Sequence, residues 1–306
     1  MDTKIALEKV CNSVSERNYS LLTSGDLSHL NNKDVVVCFT GNPGLCELYT
    51  DFATEVHKQT LLPVCVINHI GHEENENNEL YKPESNKNIF NLEGQVHQKL
   101  DFITNHIDKN SKIHLVGHSI GAWMLIELLD RHGELHERIA SVNLLFPTIQ
   151  KLAQTKNGRF MNNYVKKFFK IIIFLCTLLQ WLPNTFKNLL IGAYLTLNSL
   201  PWTHYSSISQ LLNPSVLEKV LSLAFEEMDT VKELNNIGME KLKHFSNVIY
   251  GSKDNWAPVE YLDELEKFKP ELQVKVVDID HAFVLKSSEA VATMVSDFIN
   301  KRKSSK

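Results

Sequence analysis

Gly117-His118-Ser119-Ile120-Gly121 carries more chemical content than any other short stretch of this chain. It has the form G-x-S-x-G. Leu115-Val116 before it reads as the end of a strand, and Ala122 to Leu129 after it reads as helix, which is the context a nucleophile elbow needs. The flanking glycines leave room for a sharp turn that lifts the serine hydroxyl above the sheet. The helix N-terminus then sets free N–H groups and positive dipole beside it. The plainer alternative is a tight turn whose serine only caps the helix. A serine nucleophile needs a base and a group to orient that base, and on such a scaffold they follow in the order Ser, Asp or Glu, His. Asp254 lies in the loop after the strand-like Val248-Ile249-Tyr250, and His281 lies after Val274–Val277. Both loops should reach the rim where Ser119 stands. Asp263, Asp278 and Asp280 are rival carboxylates, read respectively as helical, within a strand, and an ion-pair neighbour of His281. The oxyanion hole should use the backbone N–H of Ile120, the residue after the nucleophile, and one from Gly41-Asn42-Pro43-Gly44. Pro43 has no N–H, so Asn42 is the candidate there.

Other reactive side chains say less. His69 and His72 form H-x-x-H beside Glu73 and Glu74, without H-E-x-x-H or a third clustered ligand, and read as solvated loop residues. No metal and no cofactor is expected. His118 should support the elbow or line a pocket. The five cysteines are widely spaced with no C-x-x-C pair, which argues against a disulfide framework or a zinc ribbon and fits reduced thiols.

The elements that must position these residues alternate between strand and helix. Strands are expected at Asp34–Thr40, Leu62–Asn68, Lys112–Gly117, Ser141–Phe146, Asn247–Tyr250 and Val274–Asp278. Helices are expected at Leu48–Thr60, Leu92–His106, Ile120–Arg131, Val216–Leu234 and Glu289–Lys301, and an acidic, Asn-rich loop at Gly71–Asn88. This is the pattern of an α/β fold, a mostly parallel sheet covered by helices on both faces. The 306 residues, 43% hydrophobic, suit one large domain spanning 1–306. A net charge of −4 gives no reason to expect a nucleic-acid partner. Met1–Asn18 alternates charge and polarity without an apolar run of signal-peptide length, so secretion is not expected.

Charge is unevenly spread. From Ile139 to Leu217 there is no Asp or Glu but seven bases, while the rest of the chain holds 25 bases against 36 acids. The same region contains the most apolar sequence, Ile171 to Leu182 and Phe186 to Leu200, separated by Pro183-Asn184. We read two apolar helices joined by a turn. Twelve residues of helix reach about 18 Å, short of a ~30 Å hydrocarbon core. An inserted helical region at 150–235 is therefore expected to cover the active site, to rest on lipid, or both. Residues of about 164–200 would form the lipid-contacting hairpin, with Lys166, Lys167, Lys170 and Lys187 able to snorkel and Trp181 and Trp202 placed as interfacial aromatics.

Phe39-Thr-Gly-Asn-Pro-Gly44, Tyr49-Thr-Asp-Phe52, His69-Ile-Gly-His72, Asn91-Leu-Glu-Gly-Gln-Val96, Gly117-His-Ser-Ile-Gly121 and Asp280-His-Ala-Phe283 together resemble the lipid droplet-associated hydrolase family. The G-N-P-G loop followed by H-x-G-H is far more specific than the serine motif alone. The resemblance implies an α/β-hydrolase fold, a serine esterase site formed by Ser119, Asp254 and His281, and residence on lipid droplets and the cytosolic face of the endoplasmic reticulum. It also implies a neutral lipid ester as substrate, with sterol ester hydrolysis as the proposed reaction. Two other functions fit the same residues: a droplet-surface structural or tethering protein with little turnover, and a soluble small-ester hydrolase with a mobile cap.

Overall fold

The computed structural model describes residues 5–11, 18–24, 27, 30, 33–74 and 87–304. Most of the expected acidic loop, residues 75–86, lies outside these. The described strands are β1 (Ala6–Cys11), β2 (Asn18–Thr23), β3 (Val35–Phe39), β4 (Val64–Ile67), β5 (Ile113–His118), β6 (Ile139–Leu145), β7 (Ser246–Gly251) and β8 (Gln273–Val277). They form one sheet in the order β1-β2-β4-β3-β5-β6-β7-β8. β1 and β2 pair antiparallel, β2 runs antiparallel to β4, and every pair from β4 to β8 is parallel.

Burial explains the central strands. All five residues of β3 are buried, with Val35, Val37 and Phe39 in the core of one face and Val36 and Cys38 in that of the other. A strand buried on both faces reads as a continuous apolar run rather than an alternation. The first face is covered by α2 (Leu92–Asn105) and α3 (Ile120–Arg131), through Val96, Phe102, Met124, Leu125 and Leu129. The second is covered by α1 (Thr50–Thr60), with Phe52 and Val56, and by the closing helix (Ser288–Ser304), with Val291 and Val295. Asn91 caps α2 by accepting from the Gly94 N–H, and Leu61 ends α1 in the left-handed region at φ 57°.

Between β6 and β7 the chain is almost wholly helical. It contains α4 (Lys166–Gln180), α5 (Asn184–Leu197) and α6 (Pro214–Thr230), with shorter helices at Lys156–Phe160, Tyr205–Leu211 and Asn236–Leu242; the closing helix is α7. Pro183 separates α4 from α5, and its carbonyl accepts from the Phe186 N–H at 2.9 Å. Asn213 caps α6 by accepting from the Ser215 N–H, with Pro214 at the first helical position. α4 and α5 bury little: Cys176 in the first, Ile191, Gly192 and Leu195 in the second. Phe174 is 60% exposed, Trp181 80% and Leu197 85%. No helix among the described residues is long and apolar enough to cross a membrane.

The N-terminal hairpin of β1 and β2 was not expected from the sequence. β1 is an edge strand carrying exposed Glu8, and its sequence Ala6-Leu-Glu-Lys-Val-Cys11 sets apolar and charged residues in pairs, without the alternation that marks a half-buried strand.

Candidate active site

Parallel pairing puts the C-terminal ends of the strands along one edge. Phe39 lies opposite Gly117, His118 opposite Leu145, and Gly251 opposite Val277. The loops after β3, β5, β7 and β8 therefore meet, and they carry Asn42, Ser119, Asp254 and His281.

Ser119 sits between β5 and α3 at φ 54°, ψ −121°, a conformation that costs about 1–3 kcal/mol for a residue with a side chain. The surroundings over-determine it. Its N–H donates to the Leu145 carbonyl at 3.0 Å, and its carbonyl accepts from the N–H groups of Ala122 at 3.0 Å and Thr148 at 3.3 Å. The flanking glycines are there for space. A Cβ on Gly121 would lie 2.5 Å from the Phe39 carbonyl oxygen, and one on Gly117 would lie 2.8 Å from the Ala122 backbone. The Ser119 side chain makes no capping bond to α3. Its Oγ lies 2.9 Å from Nε2 of His281, whose Nδ1 lies 2.6 Å from Oδ2 of Asp254. Asp254 is fully buried, and its Oδ1 accepts from the N–H groups of Trp256 at 2.7 Å and Ala257 at 3.0 Å. A carboxylate only accepts, so His281 donates from Nδ1 and leaves Nε2 free to take the serine proton. The rival carboxylates lie elsewhere. Asp263 and Asp280 are exposed, and Asp278 pairs with Lys253 at 3.0 Å.

Ile120 opens α3, so its N–H has no acceptor within the helix. Asn42 lies across the cleft, and its side chain is tied to α6: Nδ2 donates to the Val220 carbonyl at 3.0 Å and to Glu227 Oε1 at 2.8 Å. Asn42, Ser119, Trp256, His281, Glu227 and Met228 are among the residues lining a cavity of about 160 Å³.

His118 proves to be a strut. Its Nε2–H donates to the His281 carbonyl at 3.0 Å, so its Nδ1 accepts from the Tyr49 hydroxyl at 2.6 Å. The Tyr49 oxygen in turn accepts from the Gly41 N–H at 2.8 Å. One chain of hydrogen bonds thus joins the Asn42 loop to the His281 loop beneath Ser119. Burial, and then the neighbouring His281, holds His118 down at about 3, so this strut stays neutral.

His69 and His72 overturn their expected reading as solvated loop residues, since both are completely buried. His72 Nδ1 accepts from the Gly44 N–H at 2.9 Å, and His69 Nδ1 lies 3.0 Å from Nζ of Lys99. Lys99 is itself buried and donates to the Asn68 carbonyl and to Gln98 Oε1. Burial pulls His72 down to about 3, and drives His69 and Lys99 well below their ordinary ranges. These groups brace the Asn42 loop from behind. Among the described residues no three His, Cys, Asp or Glu side chains gather as a metal site would need. Tyr49 entered the sequence reading only within the Tyr49-Thr-Asp-Phe52 motif, while Lys99 and Glu227 had no role there. Nothing in their spacing marks them, because the partners that give them roles are distant in the chain.

The chain resembles solved α/β-hydrolase structures at low identity. A bacterial membrane phospholipase A matches with a TM-score of 0.66 and 12% identity, covering 98% of this chain and 87% of that one. An esterase from Thermogutta terrifontis matches at 0.59 and 14%, covering 97% and 99%. At such identities the likeness establishes the α/β-hydrolase fold. Sequence relatives are closer. The chain is 35% identical over 278 residues to the lipid droplet-associated hydrolase of Drosophila melanogaster, covering 89% of this chain and 90% of the relative. It is 30% identical over 278 residues to that of Homo sapiens, covering 87% and 84%. Residues 32–284 match the family described as lipid-droplet associated hydrolase, and with that span and those identities the chain belongs to this family.

Proposed function

We propose that this protein is a serine ester hydrolase acting on neutral lipid esters, sterol esters among them, at the surface of lipid droplets and the cytosolic face of the endoplasmic reticulum. The observation that carries the reading is the hydrogen-bonded chain from Ser119 Oγ through His281 to Asp254, at 2.9 and 2.6 Å, on a strained strand–helix turn. In this reading Ser119 Oγ attacks the ester carbonyl while His281 Nε2 takes its proton. Asp254 holds the imidazole tautomer and stabilises the imidazolium. The N–H groups of Ile120 and Asn42 receive the oxyanion. The tetrahedral intermediate collapses to an acyl-serine, and the alcohol leaves with the proton from His281. Water, deprotonated by the same histidine, then releases the fatty acid.

The names of the relatives and the exposed apolar faces of α4 and α5 support a lipid surface as the place of work. A cavity of about 160 Å³ is smaller than the 300–1,000 Å³ typical of small-molecule sites. A long-chain ester therefore needs the helices between β6 and β7 to move aside, and we assign that region, 150–235, as a cap that also contacts lipid. The small volume of the cavity also favours the second reading, a droplet-surface tether with little turnover. A fluorophosphonate probe separates the two. The wild-type protein should be labelled, and Ser119→Ala should not be, with ester turnover falling on the order of 10³-fold or more while the fold persists. Wild-type protein that takes no label and splits no ester points to the tether.

A further inference from the structure

We propose that Glu227 is a positioning residue for the oxyanion hole: from the cap helix α6 it grips the Asn42 side chain across the cleft and thereby sets the Asn42 amide against the Ser119 cavity. This rests on the serine hydrolase reading above. Both Asn42 Nδ2 protons are spent on α6, one on the Val220 carbonyl and one on Glu227 Oε1, residues 178 and 185 positions away in the chain. Glu227 is only 5% exposed and lines the same cavity as Ser119 and His281. On the loop side, Gly41 and Gly44 are held by Tyr49 and His72, so Asn42 is fixed from below by the core and from above by the cap. A loop clamped in this way keeps its amide aimed only while the cap is seated.

The chemistry of the grip sets a pH dependence. Burial pushes the Glu227 carboxyl up to about 8, so at neutral pH it is a neutral acid whose carbonyl oxygen accepts from Asn42. Above that pH the carboxylate still accepts, but it places a negative charge at the cavity wall and opposes the oxyanion that forms on the substrate. Turnover should therefore fall as pH rises through about 8. His281 lines the same cavity as Glu227. On α6 itself Glu226 is bonded to the Leu92 N–H, and Lys219 to Ser215. On the neighbouring helices Lys166 of α4 pairs with Asp229, and Glu93 of α2 pairs with Arg131 of α3. Lys151, before the turn that packs on α6, pairs with Glu264.

The test uses the full chain, p-nitrophenyl butyrate hydrolysis and fluorophosphonate labelling from pH 6 to 9.5, and hydrogen exchange of the amides of Gly41, Asn42, Gly44 and Leu45. Glu227→Ala should lower kcat and the labelling rate by about tenfold to a hundredfold, with KM changed far less, and should speed exchange in the loop. Glu227→Gln keeps an acceptor without the titration. It should restore most of the lost turnover and remove the fall near pH 8. If Glu227→Ala matches an active wild type in rate, pH profile and exchange, Glu227 has no such role and the hydrolase reading survives. An alkaline fall that persists in Glu227→Gln also overturns the proposal. A wild type that neither labels nor hydrolyses overturns the hydrolase reading and this one with it.

Discussion

Asp254 spends both carboxylate oxygens, Oδ2 on His281 and Oδ1 on the amides of Trp256 and Ala257. The loop therefore presents this acid in one rotamer, whereas Asp280, adjacent to the histidine in sequence, is exposed. Neighbouring side chains leaving a strand point apart, so proximity in sequence was never a good guide to which carboxylate meets the ring. Asp254→Asn should reverse the donor–acceptor pattern at His281 Nδ1 and cost on the order of 10³–10⁴ in kcat. Asp280→Asn should change kcat by less than about threefold, the scale of a surface substitution. Kinetics of the two variants on one soluble ester checks this, and the opposite ranking would move the orienting role to Asp280. That Ser119, Asp254 and His281 come together was legible because strand ends converge in an α/β sheet. Glu227 was not. It sits in a helix with other acids, where a charged residue normally faces water, and only the fold brings Asn42 to it. His69 and His72 misled for a related reason. A polar-looking stretch beside two glutamates is solvated unless a helix covers it, and α2 covers it with Lys99, Gln95 and Gln98.

At the scale of elements, α4 and α5 display what soluble surfaces usually hide. Phe168, Ile171, Phe174, Leu175, Leu178 and Trp181 are all exposed along or just beyond α4, and Phe186, Leu189, Leu190 and Leu197 along α5. Exposed large apolar residues in such number on two neighbouring stretches of helix suit an interaction surface. α4 has 15 residues, about 22 Å of helix, which suits an interfacial hairpin whose ends both return to water. The two helices were visible in the sequence as two apolar runs around Pro183-Asn184. The β1–β2 hairpin was not, because an edge strand shows its pattern only once its partner is known. Replacing Phe174, Leu175, Leu178 and Trp181 together with Ser should remove several kcal/mol of apolar burial at a lipid surface, about 1–2 kcal/mol each. We expect the variant to stay in the aqueous layer when wild-type protein floats with phospholipid-coated triolein droplets. Neutralising Lys166, Lys167 and Lys170 should weaken flotation partly and in a salt-dependent way, at about 1 kcal/mol per charge. Undiminished flotation of the four-Ser variant would leave the apolar helices as a cap alone. α4 also reaches the candidate site through one intermediary. Phe169 of α4 meets Phe225 of α6 edge-on at 5.5 Å, and α6 carries Glu227.

For the molecule as a whole, the buried neutral histidines tie the candidate-site edge of the sheet to acid stability. His69, His72 and His118 are buried and held below their usual value of 6.5, His72 and His118 at about 3, with desolvation the leading cause for each. In the unfolded chain they titrate near 6.5. A group whose folded value is depressed contributes stability that is present above the unfolded value and is lost as pH falls toward the folded one. Between about 6.5 and 3 the unfolded state binds protons that the native state refuses, so stability should decline steeply through that window. Glu227 acts in the opposite sense. Its value is raised to about 8, so its contribution is greatest in acid and fades as pH climbs from the ordinary carboxylate range to 8, and it offsets part of the histidine loss. The two effects separate by substitution. His72→Asn keeps an oxygen to accept the Gly44 N–H and removes one titrating site. The variant should be less stable than wild type at pH 7.5, because Asn fills less of the pocket, by about 1–3 kcal/mol. Its melting temperature should nevertheless fall less between pH 7 and pH 5. Thermal unfolding of both proteins across that range measures the two slopes, and equal slopes would mean that His72 takes up its proton in the native state at the pH where it does so in the unfolded chain.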